Sequence, residues 1–290
     1  MEHPLIVGVD GSEASLRALD WAVDEAVRRS VPLRIVHASS WEWYEGREPS
    51  FGINRASVRA QADRVLADAA ERAYCRSTSA KVTSQVLDED PAAALIRESG
   101  AASGVVVGSR GRGTLAGLLL GSVSLSVAAR AHGPVHVVRG GDRNVRGGFG
   151  RVVVGVDEAA QAGPALAFAL RAARQRGADL EVVHTWRCPA HQVPDRPRPA
   201  DAGDPHQRRA EEEVEEALLG VDIGERGAVA VHRRVVESSP RTALLDASAA
   251  ADLLVVGARR RGGSVGMQLG AVNHAVLHHS QCPVVVVPHQ

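Results

Sequence analysis

The chain repeats itself once, and that repeat fixes most of what it can fold into. Leu5-Ile6-Val7-Gly8-Val9-Asp10 returns as Val152-Val153-Val154-Gly155-Val156-Asp157, and Leu33-Arg34-Ile35-Val36-His37 returns as Leu180-Glu181-Val182-Val183-His184, both at an offset of 147 residues. Val105-Val106-Val107-Gly108-Ser109-Arg110 returns as Leu254-Val255-Val256-Gly257-Ala258-Arg259 at an offset of 149. Gly133-Pro134-Val135-His136-Val137-Val138 returns as Cys282-Pro283-Val284-Val285-Val286-Val287. Four anchors in one order mark a duplicated unit. The 290 residues hold two such units, each long enough for its own core. Arg139 to Gly150 carries five glycines in twelve residues and reads as a flexible linker. The expected domains are therefore 1–139 and 151–290, with 140–150 between them.

Within each half, short apolar runs alternate with helical patterns. The first-half strands are expected near 4–9, 32–38, 80–86, 104–108 and 134–138. Their near-continuous Val, Ile and Leu suit parallel strands buried on both faces. Leu16, Leu19, Val23 and Val27 recur at helical spacing. Asp90-Pro91 and Ser239-Pro240 each read as an N-cap with proline in the first turn. The alternation predicts two tandem α/β domains, each a doubly wound parallel sheet. Two long insertions, 39–53 with Trp41, Trp43 and Tyr44, and the proline-rich 185–205, suit lids, binding loops or disorder. Trp41 and Trp43 are read as covering apolar surface rather than stacking on a base. Glu211-Glu212-Glu213 with Glu215 and Glu216 is read as a solvated helix face.

Composition removes several functions. Lys81 is the only lysine among 34 basic residues, so there is no Gly-Lys-Ser/Thr phosphate loop and no kinase lysine pattern. The turn after the first strand, Asp10-Gly11-Ser12-Glu13, is not the Gly-x-Gly-x-x-Gly of dinucleotide enzymes. Basic and acidic residues balance at 34 each, which argues against a generic nucleic-acid or anionic-membrane binder. No apolar run of about 18 residues and no basic-then-apolar leader suggests a membrane or secretory destination. Cys75, Cys188 and Cys282 are too far apart for a disulfide framework or a thiolate zinc site, so a reduced cytoplasm is expected. His274 and His278 share a helix face but have no evident third ligand, and no metal site made by protein alone is expected. No Ser-His-Asp set or paired carboxylates stand out, so the chain is expected not to be an enzyme.

The informative motif is Gly108-Ser109-Arg110-Gly111-Arg112-Gly113, then 114–120, then Gly121-Ser122, a spacing of Gly-x2-Gly-x9-Gly-Ser. Glycines allow positive φ and close backbone approach to a ligand. Successive N–H groups in such a loop form a concavity for anions. Gly121-Ser122 then opens a helix whose N-terminus offers unpaired N–H donors. The Ser122 hydroxyl can donate to a terminal phosphate or ligate its metal. Arg110 and Arg112 either add charge or point to solvent. In a doubly wound sheet, ligands bind at the carboxyl ends of strands where the order reverses. If the first and fourth strands are neighbours, Asp10 borders the same crevice and can accept from a nucleoside hydroxyl or base amine. N-capping by Ser12 is compatible with that.

On these residues the sequence resembles the universal stress protein family in its tandem form, over nearly all of its length. The glycine motif matches that family's ATP-binding signature in full at Gly108, Gly111, Gly121 and Ser122. Asp10 and the Gly-Pro-Val strand also fit. The resemblance implies a Rossmann-like five-stranded sheet of order 3-2-1-4-5 in each half, with ATP, and Mg²⁺ near Ser122, at the glycine loop. It implies that Ala38 contacts adenine through its backbone. It adds Val9, Arg110, Gly113 and Val123 to the binding residues. It also implies pairing of the two domains through strands 134–138 and 283–287, with a homodimer of the full chain left open. The implied role is a nucleotide-dependent regulator in the bacterial stress response, its protein partner unknown. A slow ATPase or self-phosphorylating protein near Ser122 and Ser124 is the alternative. The second half departs from the pattern. Asp157, Gly257 and Gly270 keep their places, but Arg260 stands for Gly111 and Ala271 for Ser122. A degenerate site is expected there, or a dimerisation module without ligand.

Overall fold

The computed structural model describes residues 3–39, 55–111, 120–187, 204–221, 229–259 and 269–289. Trp41, Trp43, Tyr44, Arg112, Gly113, Cys188 and Arg260 lie outside them. The chain divides into two compact units at the Arg139–Gly140 junction.

In the first unit, β1 (Leu5–Gly8), β2 (Leu33–Ala38), β3 (Val82–Leu87), β4 (Gly104–Gly108) and β5 (Val135–Val138) form a parallel sheet. The order is 3-2-1-4-5, as the resemblance implies. Leu5 pairs with Leu33 on one side and Gly104 on the other, so β1 is central. Its Leu5, Ile6 and Val7 are buried, as are Val105, Val106 and Val107 of β4. With aromatics at 3%, branched aliphatics and alanine carry the packing.

Helix α1 (Glu13–Arg29) starts because the Ser12 hydroxyl accepts from the Ser15 N–H, and it ends at Ser30, whose φ of 55° closes the last turn. Ala18, Leu19, Ala22 and Val23 face the sheet. Helix α2 (Arg55–Arg76) lies beside α1, joined by two forked pairs. Arg72 grips Asp20, and Arg76 grips Asp24, at 2.6 and 2.7 Å each. These hydrogen bonds and their paired charges hold both guanidinium pKa values above the ordinary range. Helix α3 (Pro91–Glu98) begins on the expected Asp90 cap, whose carboxylate accepts from Ala92 and Ala93 N–H. Helix α4 (Ser122–Arg130) leads into β5.

The second unit opens with the short helix α5 (Asp142–Val145), inside the stretch expected to be a flexible linker. Two side chains bond this segment to the rest of the unit. Asn144 donates to Ala251 O at 2.8 Å and Ala249 O at 3.2 Å. The Asp252 carboxylate accepts from the N–H groups of Phe149, Gly150 and Arg151 at 2.9, 2.7 and 3.2 Å. The remaining elements repeat the first unit. They are β6 (Arg151–Gly155), α6 (Ala159–Arg176), β7 (Asp179–Trp186), α7 (Pro205–Leu219), β8 (Val231–Glu237), α8 (Pro240–Ser248), β9 (Leu253–Arg259), α9 (Ala271–His279) and β10 (Val284–His289). Their parallel order is 8-7-6-9-10, the same arrangement. Among the described residues no helix is long and apolar enough to cross a membrane.

Candidate functional site

The pairing of β1 with β4 puts the order reversal where the sequence places Asp10 and the glycine loop. At the carboxyl ends of these strands lies a cavity of about 360 Å³. Val9 and Asp10 follow β1, and Ala38 ends β2. Gly108 ends β4 and Arg110 and Gly111 follow it, while Gly121 caps α4 and Ser122 and Val123 open it. All of these line the cavity, so the structure brings together every expected first-site residue that it describes. Pro91 and Leu95 of α3 and Leu120 add an apolar wall that the sequence did not single out.

Asp10 is fixed by its own turn. Its Oδ1 accepts from the Ser12 N–H at 2.9 Å and the Ser12 hydroxyl at 2.6 Å, across Gly11 at φ 80°. The described motif glycines do not use the positive φ that glycine allows. Among the described glycines with positive φ are Gly11, Gly140, Gly147, Gly150 and Gly177, and none of Gly108, Gly111 or Gly121. Close approach explains two of them instead. A Cβ on Gly108 would lie 2.6 Å from Ala14 O, because α1 begins hard against the end of β4. A Cβ on Gly111 would lie 2.7 Å from Asp10 Oδ2. Gly108 thus joins strand to helix, and Gly111 seats the loop on the Asp10 carboxylate. Gly121 precedes α4 with no side-chain cap. Its N–H donates to Ser109 O at 2.8 Å, which closes the base of the loop.

The second unit is built differently at the same places. Asp157 is exposed, and Glu158 caps α6 without a side-chain hydrogen bond. Ala271 opens α9 after Gly270 and offers no hydroxyl. The His289 ring sits 3.3 Å from where a Gly257 Cβ would be. Burial and the nearby Arg259 charge lower the His289 pKa below its ordinary value. Arg260 falls outside the described residues, so its effect at this loop rests on the sequence alone.

The model of the universal stress protein family matches residues 1–139 and again 148–288. The chain belongs to the universal stress protein family. A universal stress protein of Mycobacterium tuberculosis is 35% identical over 301 residues, covering 97% of this chain and 94% of its own. One from Mycolicibacterium smegmatis is 34% identical over 302 residues, covering 99% and 97%. The crystal structure of a universal stress protein from Archaeoglobus fulgidus superposes with a TM-score of 0.73 at 22% identity, over 99% of this chain and 98% of that one. That likeness concerns the fold.

Two further side chains of this universal stress protein shape the site, His37 and Ser124. His37 is buried, and its Nδ1 lies 2.7 Å from Val9 O. A carbonyl only accepts, so Nδ1 carries the proton and pins the residue before Asp10. His184 does the same to Val156 O at 3.0 Å. Ser124 donates its hydroxyl to Gly108 O at 2.6 Å. The signal for His37 was present in the repeat, where both histidines hold the same register.

Proposed function

We propose that the first universal stress unit binds ATP and that the chain acts as a nucleotide-dependent regulator in the stress response, by binding rather than by catalysis. The observation that carries this reading is the convergence of Asp10, the glycine loop and the α4 N-terminus on one cavity. The cavity is apolar on one side, at Ala38, Pro91 and Leu95, which suits a base. It is lined by backbone on the other, at Gly111, Gly121 and Ser122, which suits phosphates. Arg110, also on the lining, adds positive charge.

Mg²⁺ fits as a companion of the phosphates. Ser122 is exposed at the cavity and can supply one oxygen. Among the described residues no three His, Cys, Asp or Glu side chains form a metal cage. Mg²⁺ commonly keeps several waters and takes phosphate oxygens, so a single protein hydroxyl is compatible with it. Bound there, it would offset phosphate charge.

The second unit is proposed to bind nucleotide weakly or not at all. Ala271 has lost the hydroxyl, Asp157 stands exposed, and Arg260 replaces the glycine that elsewhere lies on an aspartate.

Calorimetric titration of the full chain with ATP and Mg²⁺ tests the reading. Asp10→Asn keeps an oxygen for Ser12 but removes the charge. It is expected to weaken ATP about tenfold or more, the scale of one charge-assisted hydrogen bond. Absence of saturable ATP binding in the wild type would overturn the proposal. Unchanged affinity in the variant would remove Asp10 from the site.

A further inference from the structure

Ser124 stands two residues inside α4 and is 5% exposed. Its hydroxyl reaches back to the carbonyl of Gly108, the last residue of β4, at 2.6 Å. Asn273, the third residue of α9, makes the corresponding bond to Gly257 O through Nδ2 at 2.8 Å. The two units thus keep the same tie with different side chains. What persists is a donor on the helix aimed at the carbonyl of the glycine that the two units share, Gly108 at the end of β4 and Gly257 within β9. The second unit keeps it although its loop has changed at Arg260 and Ala271.

We infer that Ser124 is a positioning residue for the phosphate side of the first site, an inference that rests on the ATP reading above. Among the described residues, two bonds tie the start of α4 to the end of β4. One is the backbone bond from Gly121 N–H to Ser109 O, and the other is the Ser124 bond to Gly108 O. Together they hold the start of α4 against the end of β4. Helix N–H donors act on an anion only when aimed at it, and their effect falls off within the first turn. The nucleoside side, at Asp10, Ala38 and Leu95, is built from other elements. Its affinity is therefore independent of the Ser124 tie.

The same geometry assigns different roles to the two serines. Ser122 is exposed at the cavity, whereas Ser124 is buried with its proton directed at Gly108. Ser124 is a structural donor and not a phosphoryl acceptor.

The test uses the full chain as wild type, Ser124→Ala and Ser124→Asn, the last copying the second unit. Each is titrated with ATP plus Mg²⁺ and separately with adenosine. Amide hydrogen exchange is followed at Gly121, Ser122 and Val123 without ligand. Ser124→Ala is expected to weaken ATP about tenfold, the value of one intramolecular hydrogen bond at the upper end. Adenosine affinity stays unchanged, exchange at the three amides rises, and Ser124→Asn returns both toward wild type. Equal loss of ATP and adenosine would mark a merely structural role and overturn the inference. Unchanged ATP affinity and exchange in Ser124→Ala would overturn it too. A wild type that binds no ATP defeats the nucleotide reading itself. Exchange then shows separately whether the tie holds the loop.

Discussion

Gly111→Arg removes ATP binding from the full chain, with an expected loss of about a hundredfold or more, or roughly 3 kcal/mol. The substitution copies Arg260 of the second unit into the first. Its first side-chain atom would lie 2.7 Å from Asp10 Oδ2, closer than Cβ contacts allow. Either the Asp10 carboxylate leaves its place or the base of the loop lifts, and each displaces a proposed ligand contact. The arginine would then pair with the displaced carboxylate and fill the cavity where phosphate is proposed to lie. The fold itself is little affected, because Gly111 is exposed and outside every helix and strand. Calorimetry with ATP and Mg²⁺, beside a thermal melt, checks both halves of the prediction. Wild-type affinity in the variant would mean that this loop does not hold the phosphates.

Asp252→Ala gives the largest expected loss of stability, about 3 kcal/mol in the second unit. The carboxylate is 4% exposed and gathers three consecutive backbone N–H groups, those of Phe149, Gly150 and Arg151. Alanine leaves these donors without the carboxylate acceptor, and charge-assisted bonds are among the stronger ones. The same carboxylate fixes the entry of β6, the central strand of its sheet, so the damage reaches the core. Urea unfolding followed by circular dichroism should show an earlier transition. Amide exchange at the three residues should accelerate before global unfolding. Slow exchange there in the variant would contradict the assignment of this turn to Asp252.

The repeat and its apolar runs were enough to place all five first-unit strands within about two residues, because parallel buried strands leave a plain Val-rich signature. The glycine spacing likewise pointed to residues that line one cavity. What the residues alone did not disclose is why each glycine is there. Gly108 and Gly111 are small because Ala14 and Asp10 approach them, and those neighbours are about a hundred residues away in the chain. The contacts of the 140–150 segment were hidden for a related reason. Five glycines suggest freedom, and the bonds of Asn144 and Asp252 in this segment span about a hundred residues. The bonds of Ser124 to Gly108 and of His37 to Val9 were not legible, because a hydroxyl or imidazole bonded to a distant carbonyl has no local pattern. The recurrence of His37 as His184 was visible, and Asn273 in place of Ser124 disguised the second tie.

Counting nucleotides by native mass spectrometry of the purified full chain, with ATP and Mg²⁺ supplied, examines the asymmetry between the two units most directly. One ATP per chain in the wild type, and none in Gly111→Arg, is the expected result. Two per chain would show that Arg260 and Ala271 leave the second site working. None would contradict ATP binding by the first unit altogether.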